Sequence, residues 1–210
     1  MESSSIKRTD LLSASPRMFE NRLLDALSRV HPMVPPLIFV PTIVISFATA
    51  AGRVGLGDTL LALVAGYFVW SLTEYWLHRL VFHFEPEGGF GARLHWIIHG
   101  VHHDHPNDPM RLVMPPSVSV PLASGFLGLF TLALGFDWGL AMFTGFISGY
   151  LVYDMLHFHT HHHVPKTRLG RKLRELHMRH HFQDDQTGYG VSAPYWDIVF
   201  GTASSRRRTQ

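Results

Sequence analysis

Four stretches of this chain are too apolar and too poor in charge to be left in water. They cover about residues 35–51, 59–77, 117–136 and 139–156. Each approaches the ~20 residues that an α-helix needs to cross a bilayer. A backbone inside lipid must satisfy its own hydrogen bonds, so such stretches fold as helices. Pro41 interrupts the first, and Glu74 is the single charge in the second. Gly52-Arg53-Val54-Gly55-Leu56-Gly57 reads as the turn joining the first pair, with Asp58 capping the second helix. Gly135-Phe136-Asp137-Trp138 reads as the turn joining the second pair. The expected fold is an all-α integral membrane protein with four transmembrane helices in two hairpins.

The basic residues orient this arrangement. Of 18 Lys and Arg, only Arg53 falls in the short loops within the hairpins. The other 17 share one side with both termini, which by the positive-inside rule is the cytoplasmic side. Residues 1–33 read as a tail with an interfacial helix. The polar, Ser-rich start to residue 15 is expected to be mobile, and nothing in it resembles a cleavable signal peptide. A helix is expected from Pro16, capped by Ser15. Its apolar residues Phe19, Leu23, Leu24, Leu27 and Val30 lie opposite Arg22 and Arg29, as suits a helix on a membrane surface. Residues 203–210 read as a basic tail. The absence of cysteine excludes disulfides, thiolate metal sites and a cysteine nucleophile. A net charge of +2, without basic residues clustered among aromatics, excludes a nucleic-acid partner.

The chain has 16 histidines, and most fall into four clusters that follow the two hairpins. They are His78 and His83; His99, His102 and His103; His157, His161 and His162; and His177, His180 and His181. Histidines at i and i+4 lie on one helix face, so the pairs 99/103, 157/161 and 177/181 each present two imidazoles together. His78 and His83, at i and i+5, share no face on a straight helix. The helix must end or bend near Phe82, or the pair must reach a metal from two sides. A tetrahedral zinc site takes four ligands, and ten or more clustered histidines point to two ions. Imidazole suits iron, zinc and copper alike. His31, His105, His159 and His163 are expected to bind no metal. Glu74 and Asp154 each lie one turn before a clustered histidine and could accept an imidazole N–H. Tyr153 is a further candidate, as a residue lining a substrate cavity.

Several segments resemble the fatty acid 2-hydroxylases of the membrane fatty acid hydroxylase and sterol desaturase superfamily. They are Tyr75-Trp76-Leu77-His78-Arg79-Leu80-Val81-Phe82-His83-Phe84, His99-Gly100-Val101-His102-His103-Asp104, Arg111-Leu112-Val113-Met114-Pro115-Pro116 and Gly188-Tyr189-Gly190-Val191-Ser192. Tyr195-Trp196-Asp197 and Val199-Phe200-Gly201-Thr202 close the match. The resemblance implies a hydroxylase membrane domain over residues 34–202, with a cytosolic helical cap holding a histidine-ligated dimetal centre. Iron is expected for activity, and zinc is also found in such sites. The implied reaction inserts one oxygen of O2 at C2 of a long-chain fatty acyl group, in lipid and sphingolipid metabolism. One metal would take His78, His83, His99, His103 and His180. The other would take His102, His157, His161, His177 and His181, with His95 and His162 beside the ligands.

Many relatives carry a cytochrome b5 domain with a His-Pro-Gly-Gly motif, which is not found here. A stand-alone form served by a separate cytochrome b5- or ferredoxin-type electron carrier is therefore expected. Arg79, Arg93 and Arg111 are candidate head-group partners. The membrane would be the plasma membrane in a bacterium and the endoplasmic reticulum in a eukaryote. Rival readings are another di-iron lipid oxidase (a desaturase, sterol oxidase or carotenoid oxidase), a non-catalytic metal-binding membrane protein and a zinc hydrolase. A transporter would place polar ligands mid-span, and no histidine, aspartate or glutamate lies there.

Overall fold

The computed structural model describes residues 7–204, and among these every regular element is a helix. The first and last six residues, which include most of the predicted basic tail, lie outside the described residues. Two short helices, α1 (Arg8–Leu12) and α2 (Arg22–Leu27), precede the first hairpin. That hairpin is α3 (Val34–Val54) and α4 (Leu56–Leu77), and α4 continues into a π turn over His78–Phe82. A cap segment follows: α5 (Gly89–His95), a second π turn (Trp96–Gly100) and α6 (Val101–Asp104). The second hairpin is α7 (Pro116–Leu134) and α8 (Phe136–His162). The cap closes with α9 (Arg168–Phe182) and α10 (Tyr195–Val199).

Helices α3, α4 with its π turn, α7 and α8 are each long and apolar enough to cross a membrane. Three of the four helices run longer than expected, and α7 ends two residues early, because the turns between them shrink to one residue. Gly55 (φ 89°) joins α3 to α4, and Gly135 (φ 78°) joins α7 to α8. Only glycine adopts this left-handed backbone cheaply, so six- and four-residue turns are not needed. Asp58 accordingly lies inside the first turn of α4, and the N-cap is Gly55.

Helix length decides where the histidines stand. Helices α3 and α7, with 21 and 19 residues, are about 30 Å long, enough to span the hydrocarbon core. Helix α4 with its π turn, and α8, each have 27 residues and reach about 40 Å. The extra length lifts His78, His157 and His161 beyond the ends of the shorter helices.

Helix α8 is the centre of the bundle. Two thirds of its apolar window (67%) is buried, against 11% for α7. It packs parallel to α4 through glycines. A Cβ on Gly145 would lie 2.0 Å from the Leu63 carbonyl oxygen, and one on Gly66 would lie 2.0 Å from that of Met142. Gly149 leaves room for Trp70, whose ring meets Phe146 and Tyr150 edge-on. Small residues that allow backbones to touch are a main source of helix association in lipid. A buried Thr144–Ser46 hydroxyl pair (2.9 Å) ties α8 to α3.

The N-terminal segment differs from expectation. Residues Arg8–Leu12 form a helix where a mobile tail was expected. The next helix starts after Asn21, whose side chain caps Leu23 N–H (2.9 Å) and Leu24 N–H (3.2 Å). Ser15 is not its cap, because Asp25 Oδ1 takes the backbone N–H of Met18 (2.7 Å) and Phe19 (3.4 Å). Those groups then cannot enter a helix. Asp25 also pairs with Arg111 (2.9 Å), whose side chain is 2% exposed. Arg111 and Arg93 further donate to the carbonyls of Pro16 and Met18. Both arginines are thus committed to strapping residues 7–30 across the cap. Leu23, Leu24 and Leu27 of α2 remain exposed.

Candidate metal centre

Ten of the eleven clustered histidines, all but His162, converge in two sets of five. His78, His83, His99, His103 and His180 form one, and His102, His157, His161, His177 and His181 form the other. Within each set the ligand atoms lie within 4.8 Å of one another. The sets adjoin, with the rings of His103 and His181 stacked at 4.2 Å.

Local backbone geometry produces this convergence. The π turn resolves the i, i+5 problem: His83 N–H donates to the His78 carbonyl (3.1 Å). The wider turn brings the two rings to 4.9 Å without ending the helix. A second π turn sets His99 over the same group. On α6 and α9, adjacent histidines serve different sets, because successive residues on a helix point about 100° apart. His102 and His181 face the second set, while His103 and His180 face the first.

Hydrogen bonds from behind select the reactive nitrogen. His78 Nδ1–H donates to the Tyr189 carbonyl (2.6 Å), and His180 Nδ1–H donates to that of Thr187 (2.8 Å). A carbonyl only accepts, so in both rings Nε2 is left with a lone pair. His83 Nε2 lies 3.2 Å from His78 Nε2 and 3.0 Å from His180 Nε2. His103 and His99 meet at 3.0 Å through the same atoms. In the second set His177 Nε2 lies 2.8 Å from that of His161 and 3.1 Å from that of His181. His102 Nε2 and His157 Nε2 are buried with no partner. Lone pairs this close repel unless a proton or a metal cation lies between them.

The spacing also fits a metal cation. Metal–nitrogen bonds of about 2.1 Å at right angles put their nitrogens about 3.0 Å apart, whereas tetrahedral angles put them about 3.4 Å apart. The closest nitrogens of each set, 2.8–3.2 Å apart, have the separation of neighbouring ligands on one cation, and each full set lies within 4.8 Å.

Burial keeps these imidazoles neutral. It pushes His83 and His103 down to about 3, with the nearby imidazole of His180 adding to the effect. His99, His102, His177 and His181 are pushed well down for the same reason. In the unfolded chain they would take up protons below about 6.5, so the unfolded state binds more protons there. The stability of the metal-free protein is therefore complete above about pH 6.5 and is lost as pH falls toward about 3. A melting temperature of the chelator-treated protein that stays constant from about pH 7 to about pH 4 would contradict this.

The carboxylates have partners other than histidine. Glu74 accepts from Ser192 N–H (2.7 Å) and from the Ser192 hydroxyl, and neither an imidazole nor an arginine is its hydrogen-bond partner. Asp154 accepts from Met114 N–H (3.2 Å) and the Tyr150 hydroxyl (3.4 Å). Both pin cap segments to the spanning helices. Tyr153 packs against Trp70 and lies below His157 at 5.8 Å. Arg79 is bonded to the Tyr75 hydroxyl (3.0 Å) and lies over the Tyr75, Trp76 and Tyr189 rings. Of the three candidate head-group arginines it is the one beside His78. His95 Nε2 is bonded to the Phe82 carbonyl (2.7 Å), and His105 Nδ1 to that of Leu11 (2.6 Å). His31 accepts from Met33 N–H, His159 stacks on His163, and His162 lies on Phe158.

Asp197, which lies in a segment of the family resemblance but has no role assigned from the sequence, holds a loop beside the histidines. Its carboxylate accepts from Tyr189 N–H (2.8 Å), Gly190 N–H (2.9 Å) and the Thr202 hydroxyl (2.8 Å). It therefore fixes the loop whose carbonyls orient His78 and His180. Asp197→Ala is expected to weaken metal binding by about 10–100-fold, the usual cost of losing the group that holds a ligand. Competition with a chromophoric chelator measures it, and an unchanged affinity would remove Asp197 from this role.

A bundle of four helices long and apolar enough to cross a membrane, ending in two neighbouring groups of histidines that could each hold a metal ion, defines the class of this protein. The chain belongs to the fatty acid hydroxylase family, which matches residues 63–202. It is 35% identical over 189 residues to the dihydroceramide fatty acyl 2-hydroxylase FAH1 of Arabidopsis thaliana, covering 89% of this chain and 79% of that protein. It is 37% identical to the ceramide very long chain fatty acid hydroxylase SCS7 of Saccharomyces cerevisiae, covering 85% of this chain and 47% of that one. The human fatty acid 2-hydroxylase is 33% identical, with 91% and 57% covered. The chain thus spans about half the length of the yeast and human proteins. A solved structure of full-length Scs7p, in which only the hydroxylase domain is visible, superimposes with a TM-score of 0.84 at 37% identity. It covers 89% of this chain and 71% of that one. Membership places the protein among the oxidoreductases, as a monooxygenase.

Proposed function

We propose that this chain is a membrane-bound fatty acid 2-hydroxylase that inserts one oxygen of O2 at C2 of a long-chain acyl group of the sphingolipid type. The observation that carries the reading is the pair of five-histidine sets at the ends of two spanning helices. In this reading, residues 34–202 form the hydroxylase domain, residues 1–33 an N-terminal tail with an interfacial helix, and residues 203–210 a basic tail. The histidine end and both termini face the cytoplasm, by the charge asymmetry of the loops.

Each set of five imidazoles would hold one iron ion. When bound, the two ions supply activation of O2 and attack on an unactivated C–H bond, chemistry that side chains cannot provide. The chain's part is positioning. The Thr187 and Tyr189 carbonyls keep His78 and His180 in the tautomer that presents Nε2. Phe82, stacked on His99 at 5.1 Å, and Tyr189, edge-on to His78 at 5.7 Å, shield the first set from water. Arg79 is placed to receive the carbonyl end of the substrate, and the tail remains with the spanning helices. Electrons come from a cytochrome b5- or ferredoxin-type carrier.

Expression with and without such a carrier, followed by mass spectrometry of the host's acyl chains, tests the reading. The expected result is 2-hydroxy acids that require O2 and the carrier. A new double bond instead would indicate a desaturase, and oxygen-independent activity would indicate a hydrolase.

A further inference from the structure

The outer face of α9 combines a dense positive charge with a short route to the histidines. From Val164 to Gln183 the chain carries Lys166, Arg168, Arg171, Lys172, Arg174 and Arg179 against one acid, Glu175. An open groove of about 580 Å³ runs along this face, lined in part by Arg171, Arg174, Arg179, Met178 and Phe182. The cations are held in place. Arg174 donates to the Thr160 carbonyl (2.9 Å), and Arg171 to that of Lys166 (2.7 Å). Glu175 is shared by Arg179 and Lys172, which leaves the groove net positive.

Phe182, 44% exposed, lies in the groove with its ring 6.1 Å from that of His181. The Arg8 guanidinium lies over the same ring at 6.0 Å. His181 belongs to the second histidine set. One side-chain contact therefore separates a positively charged surface from a ligand imidazole.

Hydroxylation needs outside electrons: R–H + O2 + 2 e⁻ + 2 H⁺ gives R–OH + H2O. A carrier is oxidised by one electron in each of two encounters, and one oxygen atom leaves as water. Resting on the hydroxylase reading, we propose that the α9 groove is the docking site of an acidic one-electron carrier protein, with Phe182 at the contact nearest His181. Complementary charge steers such short-lived encounters and sets their rate. A lipid phosphate would also be drawn to the arginines, but it would gain nothing from an exposed ring joined to a ligand.

The test uses the full chain, metal-loaded, in nanodiscs of neutral lipid, with the soluble haem domain of a b5-type cytochrome as probe. The variant is the double reversal Arg171→Glu with Lys172→Glu, at two exposed positions away from the histidines. The expected result is a carrier Kd and carrier KM raised about tenfold or more at low salt, with reduced salt dependence. The KM for the acyl substrate and turnover driven by a small-molecule reductant should be unchanged, which also shows that the variant folds. Carrier binding that is indifferent to the reversal would overturn the proposal. So would a loss confined to binding of phosphatidylserine vesicles, which would make the face a lipid contact. If neither electron source yields hydroxy acid, the hydroxylase reading fails, while the carrier Kd still decides the docking site.

Discussion

His102→Ala and His181→Ala should each lower bound metal from about two ions to about one per chain and abolish 2-hydroxy acid formation. Both residues belong to the second set, and their rings meet edge-on at 4.6 Å. Removing either leaves four imidazoles of a set of five. Loss of a group that merely orients a ligand costs about 10–100-fold in affinity or activity, and loss of the ligand itself should cost more. Elemental analysis of the purified variants supplies the stoichiometry. The same substitution at His159, stacked on His163 outside both sets, should leave metal content and activity intact. Equal losses at His102 and His159 would mean that the clusters do not define two separate sites.

Gly145→Val should be as damaging, from a position that touches no histidine. A Cβ at Gly145 would lie 2.0 Å from the Leu63 carbonyl oxygen and 2.6 Å from its carbon. Both are backbone atoms and cannot move aside without separating α4 from α8. Overpacking a filled core usually costs about 1–3 kcal/mol, and here the whole helix pair must shift. Because α4 carries His78 and α8 carries His157 and His161, a change in their spacing also spreads the two sets apart. The expected outcome is a lower melting temperature together with weaker metal binding. Val at Gly128 of α7, where nothing lies within 4 Å of an added Cβ, should leave both unchanged. A Gly145→Val protein with the stability and metal content of the parent would show that the close crossing does not set the site.

Much of this architecture is legible from the residues. The four spans follow from runs of apolar sequence, since a chain in lipid has little alternative to a helix. The ten histidines follow from their clustering and i, i+4 spacing. Other features could not be read in this way. The joints at Gly55 and Gly135 looked like four- to six-residue turns, because the sequence alone does not reveal that one glycine takes a positive φ. Asp25 overrode the capping signal of Ser15 and Pro16 by drawing the nearby backbone N–H groups to itself. Glu74 and Asp154 stand one turn from histidines, yet they bond to Ser192 and Met114. Those partners are remote in sequence, and their nearness exists only after the cap has closed. Arg93 and Arg111 left the list of head-group partners for the same reason, since the strap they hold comes from the other end of the chain.

By itself the sequence determined the spanning helices, the resemblance to 2-hydroxylases and which imidazoles are available. These depend on composition and on periodicities of a few residues. Tertiary structure decided how the ten imidazoles pair off, through two π turns and the close α4–α8 crossing. It also decided which nitrogen the His78 ring presents, through the Tyr189 carbonyl 111 residues away. These are distances between distant parts of the chain. No local pattern encodes them, because they are set by helix length, glycine contacts and the closure of the C-terminal segment over the end of the bundle.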